Sequence, residues 1–302
     1  MKGFNGKHSS AFGGFTKILA SQGESAPPLI LVENVPGWLS SNGGADFRAT
    51  IQALNDLGYS CDVFLLDALR FTPQSRRRVF LVGSRKPMEQ FNLNTILHRS
   101  DALSSDRLKA CIVANSDLNW MSLTIPEPPP LLRDGLAKNV IEKLHPRDKR
   151  WWSEKEVERH LGMMANSHLK TVLELQDRSR TSYKTFYRRR RSGKQRAEMR
   201  TDDIAGCLRT AVGGSSRQFL VVAGNGKVRM RNMTSREYAR LQGVPDDYTF
   251  DIEERHALTG FGDAVCVPAI AWIANNVLTP LTKTLSATTT QIAQPARVSM
   301  PA

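Results

Sequence analysis

Cysteine is scarce in this chain of 302 residues: Cys61, Cys111, Cys207 and Cys266 stand far apart, and none belongs to a C-x-x-C pair. That spacing argues against a disulfide framework and a cysteine-rich zinc site, and no metal site is expected. Long apolar runs are missing too. None approaches the roughly 18–20 residues a bilayer span needs. Met1 to Gly6 lacks the charged-then-apolar order of a secretory signal. These absences predict a cytoplasmic protein with no membrane partner. Acidic residues are in deficit: 29 Asp plus Glu face 42 Lys plus Arg, a net charge of +13. A surplus of that size favours a polyanionic partner, most simply nucleic acid. With 40% hydrophobic and 24% charged residues the chain has the means to bury a core. A merely basic globular protein is still open on these grounds.

What is present begins with an α/β pattern over about the first ninety residues. Pro27-Pro28 closes a helix-like stretch from Phe15 to Ala20, and the apolar run Leu29-Ile30-Leu31-Val32 follows. Such a run suits a strand buried on both faces of a parallel sheet. Phe47, Ile51, Leu54 and Leu57 recur at helical spacing, and Gly58 supplies a stop. Ser60 to Leu66 and Val79 to Gly83 are the next strand candidates. Strand, helix, strand in that order predicts a right-handed crossover in a doubly wound sheet, with ligands beyond the carboxyl ends of the strands. The residues just after Val32 are therefore the first place to look for chemistry.

From about Ser84 to Met230 the periodicity weakens. Pro126, Pro128, Pro129 and Pro130 form a connector, helical spacing returns from Trp151 to Leu175, and basic residues crowd between Arg178 and Arg200. Arg188, Arg189, Arg190 and Arg191 are consecutive, with Tyr183, Phe186 and Tyr187 just before them. A charge run is most often a solvated face or loop; interleaved aromatics on a basic protein favour a surface that tracks phosphates. Thr234-Ser235-Arg236-Glu237 has the spacing of a capping box opening a helix through Leu241, and Val267 to Leu278 suits a last apolar helix. The Ser-, Thr-, Ala-, Gln- and Pro-rich tail is expected to be disordered.

Four segments are more specific. Glu33-Asn34-Val35 stands at the carboxyl end of the first strand. Pro73-Gln74-Ser75-Arg76-Arg77-Arg78 precedes another; if extended, Gln74, Arg76 and Arg78 face one side, three long donors able to clamp a phosphate or an exocyclic oxygen. Arg236 to Asp246 runs R-E-x-x-R-L-x-G-x-P-D, and Gly262-Asp263-Ala264-Val265 leads into the last helix. In this order the four resemble the DNA (cytosine-5) methyltransferase family. The stretches Ser40 to Phe47, Trp151-Trp152-Ser153 and Gly206 to Gln218 resemble a bacterial branch of it.

The resemblance implies an α/β fold: a partial doubly wound, Rossmann-like methyltransferase sheet with a smaller, irregular target-recognition domain. Its expected boundaries are 1–98 for a partial catalytic domain, 99–232 for target recognition, 233–282 for a return to the catalytic domain and 283–302 for the tail. It implies transfer of a methyl group from S-adenosyl-L-methionine to C5 of cytosine in duplex DNA, within a restriction-modification system. In that chemistry a cysteine thiolate adds to C6, C5 takes the methyl group, a base removes the C5 proton and the thiolate leaves. Glu33 matches the family's acid at N3 of the extruded base, Arg78 the arginine holding the cytosine carbonyl, and Arg76 the one near the sugar–phosphate. Asp263 and Val265 match positions lining the methionine end of the cofactor pocket. DNA contacts are expected from Gln74, from Arg188, Arg189, Arg190 and Arg191, and from Gly213, Gly214, Ser215, Ser216, Arg217 and Gln218.

The chain also departs from the family. None of its cysteines follows a proline or precedes Glu33, and Phe12-Gly13-Gly14-Phe15 follows no strand. The nucleophile and the glycine-rich cofactor loop are therefore expected to lie upstream of Met1. The isolated chain is expected to be inactive and to work with a complementary amino-terminal polypeptide. The alternative is a non-catalytic remnant or split-enzyme subunit acting as a DNA-binding module. The geometric requirement is that Glu33 and Arg78 converge on one extruded pyrimidine.

Overall fold

The computed structural model describes residues 9–86, 91–210 and 217–283. The tail from 284 onward and Gly213, Gly214, Ser215 and Ser216 lie outside them. Two compact units form: Met1–Leu66 with Arg77–Pro128 and Ala271–Ala302, and Asp67–Arg76 with Pro129–Ile270. These boundaries differ from the expected ones, for reasons of packing. Leu108, Ile112 and Trp120 belong to the first unit's core, while Tyr238, Leu241 and Leu258 share a core with Leu208 and Leu220 in the second.

In the first unit, α1 (Ser9–Gln22) takes in Phe12-Gly13-Gly14-Phe15, so that stretch is helix rather than a phosphate loop. There follow β1 (Leu29–Asn34), α2 (Ala45–Asp56), β2 (Ser60–Asp67), β3 (Arg77–Ser84), α3 (Leu93–Leu97) and α4 (Asp106–Val113). The strands lie in the order β1-β3-β2, and β1 runs antiparallel to β3, with Leu31 opposite Val82 and Glu33 opposite Phe80. The predicted strands are present, but β1 and β2 are not neighbours and the β1 ladder is antiparallel. An inserted strand leaves no mark on a periodicity that is the same in both directions. Helix α2 forms as its spacing predicts: Phe47, Ile51 and Leu54 are fully buried, against Trp38, Tyr59, Val63 and Leu81. The turn after it returns the Tyr59 N–H to the Leu54 carbonyl at 3.0 Å.

The second unit contains α5 (Glu154–Leu161), α6 (Asn166–Gln176) and four strands: β4 (Ser182–Arg191), β5 (Lys194–Met199), β6 (Phe219–Gly224) and β7 (Lys227–Asn232). They make an antiparallel sheet in the order β5-β4-β6-β7, where sequence periodicity had suggested irregular structure. Its two tight hairpins turn at Ser192-Gly193 (φ 46° and 76°) and Asn225-Gly226 (φ 54° and 72°). Two positive-φ residues are what a two-residue loop with right-twisted strands demands, and Asn-Gly supplies them at little strain. Phe186, Phe219, Val221 and Met230 fill the core beneath the sheet. The capping box opens α7 (Ser235–Leu241), with Thr234 and Glu237 each accepting from the other's backbone N–H, and α8 (Glu254–Asp263) follows.

The last helix, α9 (Val267–Ile273), continues through a wider turn at Ala274–Leu278. Contrary to the sequence expectation, Glu254–Lys283 is long and apolar enough for a membrane span by length and composition alone. Extended backbone at Ala264 (ψ 159°) interrupts it, and Cys266, Ala269, Ile273 and Val277 are buried as in a core helix.

Candidate active site and nucleic-acid face

Glu33 and Arg78 meet in the first unit. Glu33 lies opposite Phe80, so Arg78, two residues earlier on β3, is its diagonal neighbour on the same face of the sheet. That diagonal is within reach of long side chains, and Arg78 Nε lies 2.9 Å from Glu33 Oε1 with both groups partly buried. Asn34 Oδ1 accepts the Val35 N–H at 2.8 Å and fixes the chain as it leaves the strand. A cavity of about 920 Å³ in this unit lies elsewhere, around Leu39, Gly44, Arg48 and Cys111, and neither Glu33 nor Arg78 lines it.

Gln74 and Arg76 correct the expectation of three donors on one open face. Gln74 is fully buried in the second unit, its Nε2 donating to the Leu241 carbonyl at 2.9 Å and its Oε1 accepting the Leu208 N–H at 3.0 Å. It is not placed to touch DNA. Arg76 is 4% exposed and donates to the carbonyls of Leu208 (3.0 Å), Gly262 (3.4 Å) and Ala264 (2.8 Å). A guanidinium so engaged organises backbone rather than a sugar–phosphate.

The R-E-x-x-R-L-x-G-x-P-D segment is architectural as well. Arg236 donates to the Tyr248 carbonyl, Arg240 pairs with Asp246 at 2.8 Å, and Glu237 forms a fully buried ion pair with Arg231. Gly243 has φ 74°, and a Cβ there would stand 2.3 Å from Pro268 Cδ. Asp263 is exposed and accepts a hydrogen bond from Thr210 Oγ1, while Val265 is 37% exposed.

The basic stretch is a hairpin with two unlike faces. Arg188 lies over the Phe219 ring at 5.0 Å, committed to the core side. Tyr187, Arg189 and Arg191 lie on the other face, paired across strands with Glu198, Arg196 and Lys194. Like charges directly opposite destabilise a ladder. The lone Glu198 carboxylate serves Tyr187 Oη at 2.8 Å, Arg191 Nε at 3.0 Å and Arg189 Nε at 3.6 Å. Four cations and one acid on a two-stranded face leave a positive surface. Arg190 projects into solvent. Lys194 and Arg196, part of the basic crowding read between Arg178 and Arg200, complete this basic region together with Arg209 of the Gly206 to Gln218 stretch; what the sequence did not show is the Ser-Gly turn that folds the crowd into a hairpin.

Burial pushes the Cys61 thiol up to about 12 and raises Cys111 and Cys266 as well, the opposite of an activated nucleophile. Cys207 is half-buried, its thiol donating to the Leu208 carbonyl at 3.2 Å.

Residues 1–279 match the family model described as C-5 cytosine-specific DNA methylase. The chain belongs to that family. The type II methyltransferase M.HgiCI of Herpetosiphon aurantiacus is 24% identical over 326 residues, covering 89% of this chain and 76% of its own length. M.HhaI of Haemophilus parahaemolyticus is 24% identical over 285 residues, 91% of this chain and 70% of that one. The orphan methyltransferase M.SPBetaI of Bacillus phage SPbeta reaches 32% over 111 residues, where the chain spans only 24% of the relative. The crystal structure of S. pombe Dnmt2 methyltransferase shares the fold at a TM-score of 0.50 and 14% identity, covering 91% of this chain and 73% of that one. The α/β architecture is thus the Rossmann-like one of C-5 cytosine methylases.

Proposed function

We propose that this chain takes part in moving a methyl group from S-adenosyl-L-methionine to C5 of cytosine in duplex DNA, within a restriction-modification system. The observation that carries the proposal is the 2.9 Å ion pair of Glu33 and Arg78 at the carboxyl end of β1. Attack at C6 of cytosine builds negative charge on the ring, and a proton delivered to N3 disperses it. Glu33 is the group to hold that proton, and Arg78 orients it while offering donors to the cytosine carbonyl. Extrusion of the base brings the ring to these two side chains. When bound, the cofactor supplies an electrophilic methyl group. The exposed carboxylate of Asp263 has one oxygen on Thr210 and the other available to an ammonium, and Val265 offers apolar surface nearby; both suit the methionine end. The cationic face of the β4–β5 hairpin would follow the phosphates, through Arg189, Arg191, Arg196 and Lys194.

A second reading, a DNA-binding module without methyl transfer, is favoured by the raised thiols of Cys61, Cys111 and Cys266. The test is incorporation of tritiated methyl groups into duplex DNA by the chain alone and with an amino-terminal fragment of M.HgiCI. Glu33→Gln should lower incorporation by about 10²- to 10⁴-fold, the usual contribution of a positioned acid. Undiminished labelling by the variant removes Glu33 from this role. DNA retention without labelling in either arm establishes the second reading.

A further inference from the structure

A cavity of about 200 Å³ opens in the second unit where the cationic face of the hairpin ends. Cys207 lines it, together with Ser75, Tyr187 and three arginines, Arg189, Arg200 and Arg209. We infer that Cys207 is a site of thiol–disulfide exchange, selective for small disulfides that carry carboxylates. The inference needs no DNA and stands apart from the function proposed above.

The four cysteines are not alike. Cys61 and Cys266 are buried, at 0% and 5% exposure. Cys111 is half-buried, but burial raises its thiol. The cations of its cavity stand beside acids: Arg48 pairs with Asp117 at 2.6 Å, and Asp106 lines the wall next to Arg107. Cys207 is half-buried on the wall of its own cavity, and Arg76 Nη1 donates to its Sγ at 3.8 Å. A cation hydrogen-bonded to sulfur stabilises the negative charge that sulfur carries when it attacks. Reactive cysteines occupy such electropositive, partly exposed surroundings.

The lining selects the sign of the reagent. No carboxylate lines the cavity. Arg200 donates to Asp202 at 2.8 and 2.5 Å, and Arg189 lies within 3.6 Å of Glu198. Arg209 is exposed and has no hydrogen-bond or carboxylate partner among the described residues, so its charge is the uncompensated one. Gln218, 4% exposed and with no donor to its Oε1, also lines the cavity, which is therefore polar rather than a packing void. A carboxylate entering here meets guanidinium donors, whereas an ammonium group meets its own sign. Charge of one sign in a cleft raises association rates by about 10- to 10³-fold.

In the exchange the thiol gives its proton to water and the Cys207 sulfur attacks one sulfur of the incoming disulfide. A new S–S bond forms as the old one breaks, and the second half departs as a thiolate with the bonding pair. Cys207 is oxidised, the departing half is reduced, and the disulfide is the sole oxidant.

The experiment treats the reduced full chain with oxidised glutathione, which bears carboxylates, or with cystamine, which bears ammonium groups. Peptide mass spectrometry locates and times the adducts, and each rate is divided by that of a model thiol with the same reagent. Cys207 should be labelled first, and its normalised rate should favour glutathione disulfide by about 10-fold or more, a ratio that falls as salt rises. Arg209→Ala should lower the ratio by about 3-fold, the effect of one unit charge several ångströms away in water. Arg209→Lys should restore it, which a merely structural effect would not. First labelling at Cys61, Cys111 or Cys266 overturns the inference. So does a ratio near one, or a ratio that neither salt nor Arg209→Ala alters.

Discussion

Asp62 and Glu237 occupy equivalent positions in the logic of the two units. In the first, Asp62 is fully buried, takes both guanidinium nitrogens of Arg99 at 2.7 and 2.5 Å, and accepts the Leu123 N–H at 2.7 Å. In the second, Glu237 is fully buried, takes both nitrogens of Arg231 at 2.7 and 2.5 Å, and accepts the N–H groups of Thr234 and Glu142, each at 2.9 Å. Asp62 sits on an apolar strand, inside a core that Phe47, Val63 and Leu81 would form in any case. Glu237 stands among polar partners, where it caps a helix and anchors the charged strand β7. A buried ion pair is an insertion into the first unit and a junction of the second.

Removing the arginines separates the two arrangements. Loss of one partner of a buried pair costs ~3–5 kcal/mol. Arg99→Met leaves Asp62 with one backbone donor and should fall at the top of that range. Arg231→Met leaves Glu237 with two and should fall near the bottom. Urea unfolding of each variant gives the order, and a larger loss for Arg231→Met would break the comparison. Surface cations differ between the units in a milder way. Arg48 of the first unit is neutralised by Asp117 at 2.6 Å, whereas Arg196 and Arg191 share a face with other cations. Arg196→Ala and Arg191→Ala should each lower the slope of log affinity for duplex DNA against log salt by about one. Arg48→Ala should leave it unchanged.

The smallest effect concerns acid. His160 is fully buried against Trp152 at 4.4 Å between ring centroids, and burial holds its pKa below the ordinary value. The unfolded chain then binds a proton at a higher pH than the folded one, so stability falls as pH drops below about 6.5, with a slope of at most ~1.4 kcal/mol per pH unit. Below the depressed folded value the loss levels off. His160→Phe should flatten that part of the profile, and urea midpoints measured across it provide the check.

Legibility of the sequence followed the same division. Leu29-Ile30-Leu31-Val32 and the Phe47-Ile51-Leu54 spacing marked the elements of the first unit because burial there is written in apolar side chains. The second sheet escaped notice because β4 carries Lys184, Arg188, Arg189, Arg190 and Arg191, and a strand of cations does not look buried even when Phe186 beneath it is. The pairing of Glu33 with Arg78 was legible from motif order. The diversion of Gln74 and Arg76 was not, since alternation along a strand says which side a residue faces and nothing about which carbonyls wait there. Arg209 and Gln218 come together with Arg189 only through the return of the chain by way of β6.

Arg76 has a consequence for anyone who would re-engineer this protein. By bridging the carbonyls of Leu208, Gly262 and Ala264, it ties together chain segments that a chimera would exchange separately. A segment transplanted from a relative at 206–218 alone must present the peptide oxygen of position 208 to an arginine set by the host. Swaps that carry the 260–264 corner along with that segment will keep the junction intact, and the separate exchange of the two is limited by one side chain.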